Sequence, residues 1–109
     1  MDFVKALEAS QLSPGSMRVA SAGGRRVLVA NVEGTYYAIA DRCPHRGASL
    51  SRGRLENGIV TCPRHGSRFD MKTGKAVSGP RIGFLRLGVK DPQAYPVKVD
   101  GEDILIGLP

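Results

Sequence analysis

The sequence predicts an all-β protein built from short antiparallel strands. Glycine and proline occur 14 and 7 times in 109 residues, and they divide the chain into short runs of the kind that form strands and turns. No long stretch has the 3.6-residue periodicity of an amphipathic helix. Hydrophobic residues make up 41% of the chain, which is a globular composition, and the length fits a single domain over residues 1–109.

The order of these runs and turns predicts the individual strands. A first strand is expected over Phe3–Leu7, with a turn at Ser10–Gly15 after it and a later turn at Lys72–Gly74. Asn-Gly and related pairs between apolar runs predict hairpins. Three hairpins are expected. The first joins strands Arg25–Val32 and Thr35–Ala40 through Glu33-Gly34, and the second lies within Arg54–Cys62 with Asn57-Gly58 as its turn. The third joins strands Tyr95–Val99 and Ile104–Ile106 through Asp100-Gly101.

Two short motifs contain both cysteines and both histidines of the chain. They are Cys43-Pro44-His45 and Cys62-Pro63-Arg64-His65, so the pattern is C-x-H, sixteen residues, and then C-x-x-H. Each motif follows the end of a predicted strand, and two such loops side by side would present four ligands to one site. Thiolate and imidazole groups are the usual protein ligands of zinc and iron. The pattern therefore predicts a metal site made of Cys43, His45, Cys62 and His65.

The two motifs resemble the cluster-binding loops of the Rieske family, and the resemblance extends over most of the chain. It implies the Rieske fold, an antiparallel β-sandwich with a small cluster-binding subdomain, whose loops are expected at about residues 41–81. It also implies one [2Fe–2S] cluster per chain, with two Cys on one iron and two His on the other. The sequence is most similar to small Rieske ferredoxins that feed ring-hydroxylating oxygenases and to the small subunit of assimilatory nitrite reductase.

Residues around the ligands indicate the potential of the cluster. Gly47 and Gly66 allow the backbone to turn close to an inorganic core. By the resemblance, Ser67 offers a hydroxyl to a cluster sulfur, Phe69 stands where high-potential members carry a tyrosine, and Pro80 belongs to a loop that covers the cluster. No cysteine is left for the additional disulfide of those members. We therefore expect a low to intermediate potential within the Rieske range of about −150 to +300 mV.

The net charge of +6 lies entirely in the segment from residue 41 to residue 81. That segment has nine basic residues and three acidic ones, and the rest of the chain has seven of each. The charge predicts electrostatic docking of the cluster end onto an acidic surface of a partner protein, with a merely solvated rim as the alternative. A basic face is also typical of nucleic-acid binding, but no aromatic residues are interleaved with these charges, so no nucleic-acid partner is expected.

Nothing in the sequence predicts a membrane anchor. The longest apolar run, Val27–Ala30, is far shorter than the roughly 20 residues of a membrane span, and the N-terminus does not resemble a signal peptide. Two cysteines without a secretion signal favour a reducing compartment. The sequence therefore predicts a cytoplasmic protein.

The favoured function is one-electron transfer from a flavin-dependent reductase to a terminal oxygenase. The alternatives are an accessory subunit of a nitrite-reductase-like enzyme, a zinc-stabilised interaction module, and a disulfide between Cys43 and Cys62. An autonomous enzyme is not expected, because the chain has no spare His or Cys and no nucleotide-binding glycine motif. The segment 81–92 is longer than the resemblance implies. Its Phe84, Leu85 and Leu87 are expected to extend the core, with an extra strand or a partner contact as alternatives.

Overall fold

A computed structural model describes residues 1–44 and 47–109 of the chain. Two short 3₁₀ helices lie at Ala9–Gln11 and Leu50–Arg52, and within the described residues no helix is long and apolar enough to cross a membrane. The remaining regular structure consists of thirteen strands, which are β1 (Asp2–Glu8), β2 (Met17–Ala22), β3 (Arg25–Val32), β4 (Thr35–Ala40), β5 (Arg54–Glu56), β6 (Ile59–Thr61), β7 (Arg68–Asp70), β8 (Lys75–Ser78), β9 (Arg81–Ile82), β10 (Leu85–Arg86), β11 (Ala94–Tyr95), β12 (Val97–Asp100) and β13 (Asp103–Leu108).

The strands form three antiparallel sheets and one separate hairpin. The central sheet has the order β11-β4-β3-β2, and the sheet of the chain termini has the order β1-β13-β12. A third sheet, β5-β6-β7-β8, carries the second Cys/His motif at the end of β6, and β9 pairs only with β10. The predicted all-β class and the antiparallel sandwich are confirmed.

The central sheet is buried on both faces because β3 sends alternate side chains into two cores. Val27 and Val29 pack into a first core together with Ile104 of β13. Leu28 and Ala30 point the other way, into a second core. A strand covered on both faces reads as a continuous apolar run, which is why Val27–Ala30 shows no polar alternation. Each fully buried aliphatic side chain of this kind contributes about 1.5–3 kcal/mol.

The second core lies under the two metal-binding motifs. It includes Leu50, Val60 and Phe69, all fully buried, and it also includes Cys43 and Cys62. The two cysteines are therefore part of a packed interior and do not sit on free surface loops. Close packing leaves such side chains little room to move, so the fold itself restricts where the two thiols can lie.

Two of the predicted hairpin turns have the expected geometry. Glu33-Gly34 and Asn57-Gly58 both have positive φ at the two central residues, with values of 54° and 92° and of 52° and 79°. Two successive positive φ values are typical of type I′ turns, which match the twist of the flanking strands. The turn of the last hairpin is displaced by one residue, because Asp100 pairs with Asp103 and leaves Gly101, at φ 62°, as the first central residue.

The predicted strand Tyr95–Val99 is divided between two sheets. Tyr95 pairs with Ala38 of the central sheet, whereas Val97–Asp100 pairs with β13. Pro96 stands at the change, since it has no N–H for a ladder and tends to occur at strand ends. Its carbonyl accepts a hydrogen bond from the Gly107 N–H at 2.9 Å.

The N-terminal region also differs from the expectation. The predicted turn at Ser10–Gly15 begins instead with a 3₁₀ helix at Ala9–Gln11, and the turn itself comes at Pro14-Gly15. Strand β2 was not predicted. Its buried residues are the small Ala20 and Ala22, so its hydrophobic alternation is weak in the sequence.

The prediction that residues 81–92 extend the core is wrong for most of the segment. Strands β9 and β10 form a small hairpin, and Ile82, Phe84, Leu85 and Leu87 are all exposed. Within the segment, Val89 packs against the second core and Pro92 is buried. The alternative of extra strands is therefore confirmed.

Candidate metal centre

The first Cys/His loop begins directly after β4 of the central sheet. The Cys43 N–H donates a hydrogen bond to the Ala48 carbonyl at 2.7 Å, and the Gly47 N–H donates to the Cys43 carbonyl at 2.8 Å. These two bonds close a compact loop on both sides of the cysteine. His45 and Arg46, between them, lie outside the described residues.

The second loop, after β6, repeats the same pattern of hydrogen bonds. The Cys62 N–H donates to the Ser67 carbonyl at 2.7 Å, and the Gly66 N–H donates to the Cys62 carbonyl at 3.3 Å. In both loops the cysteine is bonded to the residues four and five positions further along. The two motifs therefore share one backbone frame, although the histidine is two residues after the first cysteine and three residues after the second.

A glycine is required at the same place in each loop. Gly47 has φ 72° and Gly66 has φ 75°, a left-handed conformation that is strained for residues with a Cβ atom. A Cβ at either position would meet no atom within 4 Å among the described residues, so the constraint is the backbone conformation and not crowding. The predicted need for glycine at both positions is explained by this geometry.

The two loops bring their thiols together. Cys43 and Cys62 are both buried and free, so the disulfide alternative is not formed, and the two thiols are close enough for Cys43 to affect the pKa of Cys62. Burial raises the pKa of the Cys62 thiol, the backbone N–H of Arg64 opposes this, and the neighbouring Cys43 raises it again. Without a metal, the Cys62 thiol is protonated at neutral pH, and binding of a metal releases the proton because the thiolate is the ligand.

Ser67 and Phe69 lie beside these thiols in the interior. The Ser67 hydroxyl oxygen is buried and has no hydrogen-bond partner among the described residues. A buried hydroxyl of this kind normally has an acceptor, and a cluster sulfur bound by the adjacent cysteines would supply one. Phe69 is fully buried in the second core and pairs with Val60 across the sheet, so it also has a packing role.

The loop that contains Pro80 is attached to the second motif. Pro80 is buried, and the Arg81 N–H next to it donates to the His65 carbonyl at 2.8 Å. The Pro80 carbonyl in turn accepts from the Leu87 N–H at 2.9 Å. The structure thus describes eight of the nine predicted site residues, which are Cys43, Gly47, Cys62, His65, Gly66, Ser67, Phe69 and Pro80, while His45 lies outside the described residues.

A buried aspartate that the sequence analysis did not select fixes the base of the first loop. Asp41 is fully buried. One carboxylate oxygen accepts from the Ser51 N–H at 2.9 Å, and the other accepts from the Ser49 hydroxyl and from the Arg26 guanidinium at 3.2 Å. The sequence offered only a weak signal for this role, namely a charged residue two positions before a ligand.

The surface around the loops is positively charged. Every basic residue that the structure describes between residues 41 and 81 is exposed. A cavity of about 490 Å³ between the two motifs is lined by Gly47 and Pro63 and also by Arg52 and Arg64. Asp41, the acidic residue nearest to the first motif, is buried and already bound to Arg26. The loops therefore present arginine to any approaching partner.

Comparison with known proteins agrees with this geometry. The family model of the Rieske [2Fe–2S] domain matches residues 2–87. The ferredoxin component of biphenyl 2,3-dioxygenase from Rhodococcus jostii (strain RHA1) is 35% identical over 108 residues, which are 99% of this chain and 94% of that protein.

Two solved structures are also similar. The ferredoxin of carbazole 1,9a-dioxygenase from Nocardioides aromaticivorans IC177 superposes with a TM-score of 0.82 at 31% identity and covers 97% of both chains. A complex of reduced oxygenase and oxidized ferredoxin in carbazole 1,9a-dioxygenase matches with a TM-score of 0.82 at 30% identity, over 95% of this chain and 91% of the other.

Fold and site together define a β protein in which two matching loops each supply a buried cysteine thiol. The chain belongs to the Rieske [2Fe–2S] domain family. It carries a [2Fe–2S] cluster and acts as a one-electron carrier of the ferredoxin kind, not as a catalyst in its own right. The buried free thiols and the unsatisfied Ser67 hydroxyl fit this cofactor. The match to the Rieske [2Fe–2S] domain and to ferredoxin components shows that the zinc-stabilised module is wrong.

Replacing Asp41 by asparagine should weaken the hold on the cluster. Both carboxylate oxygens accept hydrogen bonds, so either orientation of the amide turns an NH2 group toward a donor. We expect a loss of about 1.5–3 kcal/mol, since a hydrogen bond to a charged group is removed. The visible absorbance of the cluster should disappear at a lower temperature than in the wild type.

Glu56→Gln is the matched control for Asp41→Asn. It removes an exposed carboxylate that also faces an arginine, Arg54, at 3.6 Å. We expect a change of at most about 0.5 kcal/mol for this surface position. Equal thermal loss of the cluster in the two variants would contradict the role of Asp41.

Proposed function

We propose that this chain is the ferredoxin component of a ring-hydroxylating dioxygenase system, and that it passes single electrons from a flavin-dependent reductase to a terminal oxygenase. The observation that supports this most directly is the agreement, over nearly the whole chain, with ferredoxins of biphenyl and carbazole dioxygenases. The same agreement favours an oxygenase over a nitrite-reductase-like enzyme as the acceptor. The cofactor supplies a reversible one-electron change.

We infer that the four motif residues hold the cofactor as the sequence pattern predicts. Cys43 and Cys62 are assigned to one iron, because their thiols lie together and are both buried. His45 and His65 are assigned to the other iron. Since each loop then binds both irons, the shared backbone frame of the loops would place one Cys and one His from each on the same core.

The exposed arginines support docking on an acidic partner. The segment from residue 41 to residue 81 has a net charge of +6, and Arg52 and Arg64 line the space between the loops. Opposite charges speed the encounter of two proteins, and salt screens the effect. We infer that the reductase and the oxygenase each present an acidic surface to this end of the chain in turn.

Two further properties follow from the same residues. Ser67 provides one of the two hydroxyls that raise the potential, and Phe69 provides none, which supports a low to intermediate potential. The two free buried cysteines support a reducing, cytoplasmic location.

Electron delivery to an oxygenase tests the function. The holo protein, reduced by its reductase, is mixed with the oxygenase components of the biphenyl and carbazole systems, with their own ferredoxins as positive controls. We expect substrate hydroxylation that depends on this chain, at a rate that falls as ionic strength rises. Arg64→Ala should lower the rate at low salt and have less effect at high salt. The proposal fails if a reduced holo protein delivers no electron to either oxygenase.

The Ser67 hydroxyl should raise the reduction potential. A donor to a cluster sulfur stabilises the reduced form, and a hydrogen bond worth about 1.4 kcal/mol corresponds to about 60 mV for a one-electron couple. Ser67→Ala is therefore expected to lower the potential by about this amount in redox titration. Ser21→Ala, which removes an exposed hydroxyl from β2, should leave it unchanged. A shift below the error of the titration for Ser67→Ala would show that its hydroxyl does not reach the cluster.

A further inference from the structure

The hairpin of β9 and β10 carries an exposed apolar surface next to the second metal-binding loop. Among the described residues, eight large hydrophobic side chains are exposed, and four of them fall between residues 82 and 87. They are Ile82, Phe84, Leu85 and Leu87, and Phe84 is 91% exposed. Four large apolar side chains exposed to water within six residues indicate a surface that binds another molecule, because exposure of this kind does not stabilise the fold.

The apolar residues lie on a tight two-stranded hairpin. Gly83 has φ 63°, and Phe84 follows it at the tip, where turns normally carry polar residues or glycine. Leu85 pairs with Ile82, and Arg86 pairs with Arg81. The hairpin has no hydrogen-bonded neighbour strand in the described structure. Its tip is therefore free to meet another molecule.

Two hydrogen bonds hold the base of the hairpin at the cluster end. The Arg81 N–H donates to the His65 carbonyl at 2.8 Å, and the Arg86 guanidinium donates to the Gly79 carbonyl at 2.8 Å. Gly79 is also required for steric reasons, because a Cβ there would lie 1.6 Å from the Leu87 carbonyl oxygen. The direct bond to a ligand-bearing loop means that whatever touches the hairpin is also held near the cluster.

We propose that this hairpin, residues 81–87, is the apolar contact that selects the terminal oxygenase as the partner. This rests on the proposed function. The hairpin has a pair of arginines, Arg81 and Arg86, at its base, apolar residues toward its tip and no acidic residue, so the complementary surface is an apolar pocket with carboxylates on one side. It adjoins the basic surface of the loops, and a ferredoxin–oxygenase complex is known for a protein of this fold. Charge attraction brings the two proteins together, and the apolar contact of the hairpin stabilises the complex once it has formed.

The test compares Phe84→Ser with Val99→Ser in the holo protein. Val99 is also exposed but lies on β12, in the sheet of the chain termini. The measurement is oxygenase turnover against the concentration of the reduced chain, with the biphenyl or carbazole oxygenase that accepts electrons from the wild type. We expect Phe84→Ser to raise the half-saturating concentration about tenfold and to leave the maximal rate, the EPR spectrum and the reduction potential unchanged. Val99→Ser should change none of these.

Ionic strength separates the apolar contact from the charges. Salt screens charge attraction but does not weaken an apolar contact, so the tenfold ratio between Phe84→Ser and wild type should persist at high salt. A ratio that disappears at high salt would overturn the proposal.

The remaining outcomes each decide the matter. Equal half-saturation for wild type and Phe84→Ser would overturn the hairpin contact and leave the proposed function standing. An effect only on reduction by the reductase would assign the hairpin to the donor, and loss of a dimer in Phe84→Ser by light scattering would assign it to self-association; both results contradict the proposal. If the wild type itself drives no oxygenase, the proposed function fails first and the choice of acceptor fails with it.

Discussion

The site depends on one repeated arrangement, a cysteine whose backbone is hydrogen-bonded to the residues four and five positions further along. It occurs at Cys43 and again at Cys62. A cluster needs ligands at fixed distances, yet both motifs are loops, which are ordinarily the most mobile parts of a fold. The repeated frame makes each loop compact, and the glycine in each frame accepts the backbone conformation that closes it. The second core then fixes the two frames relative to each other.

The rest of the fold supports this arrangement by burial. The central sheet is covered on both faces, so its strand β4 delivers Cys43 from a rigid position. Strands β6 and β7 hold the second loop between Val60 and Phe69. Asp41 ties the first loop back to the central sheet through Arg26. Burial of a carboxylate costs free energy unless the group is hydrogen-bonded, and Asp41 accepts hydrogen bonds from three donors. The surrounding residues therefore hold the Asp41 carboxylate at the base of the first loop.

The sequence predicted the chemistry well because the signal is local. Two Cys/His motifs after strand ends predict the metal site, and the turns Glu33-Gly34 and Asn57-Gly58 appear where the dipeptides place them. Other features depend on contacts that spacing does not reveal. Pro96 divides one predicted strand between two sheets, and Asp41 acquires its role only when Arg26 and Ser51 reach it from distant positions in the chain.

The segment after Pro80 shows a second limit of sequence reasoning. Apolar residues such as Phe84 and Leu85 predict a core contribution, because buried positions are the usual place for large hydrophobic side chains. The segment instead forms a hairpin that leaves them exposed, because the hydrogen bond from Arg86 to the Gly79 carbonyl holds the base of the hairpin at the cluster end. Composition alone does not distinguish an interior strand from a binding surface.

The central claim is that one cluster is bound by two cysteines and two histidines from these loops. It is tested most directly by EPR and nitrogen hyperfine spectroscopy of the reduced holo protein grown with ¹⁵N-histidine. The chain has two histidines, so the label reports on His45 and His65 alone. The account predicts a one-electron [2Fe–2S] signal with couplings to two histidine nitrogens. A signal with one coupling or none, or a protein that purifies with zinc and no iron, would contradict it.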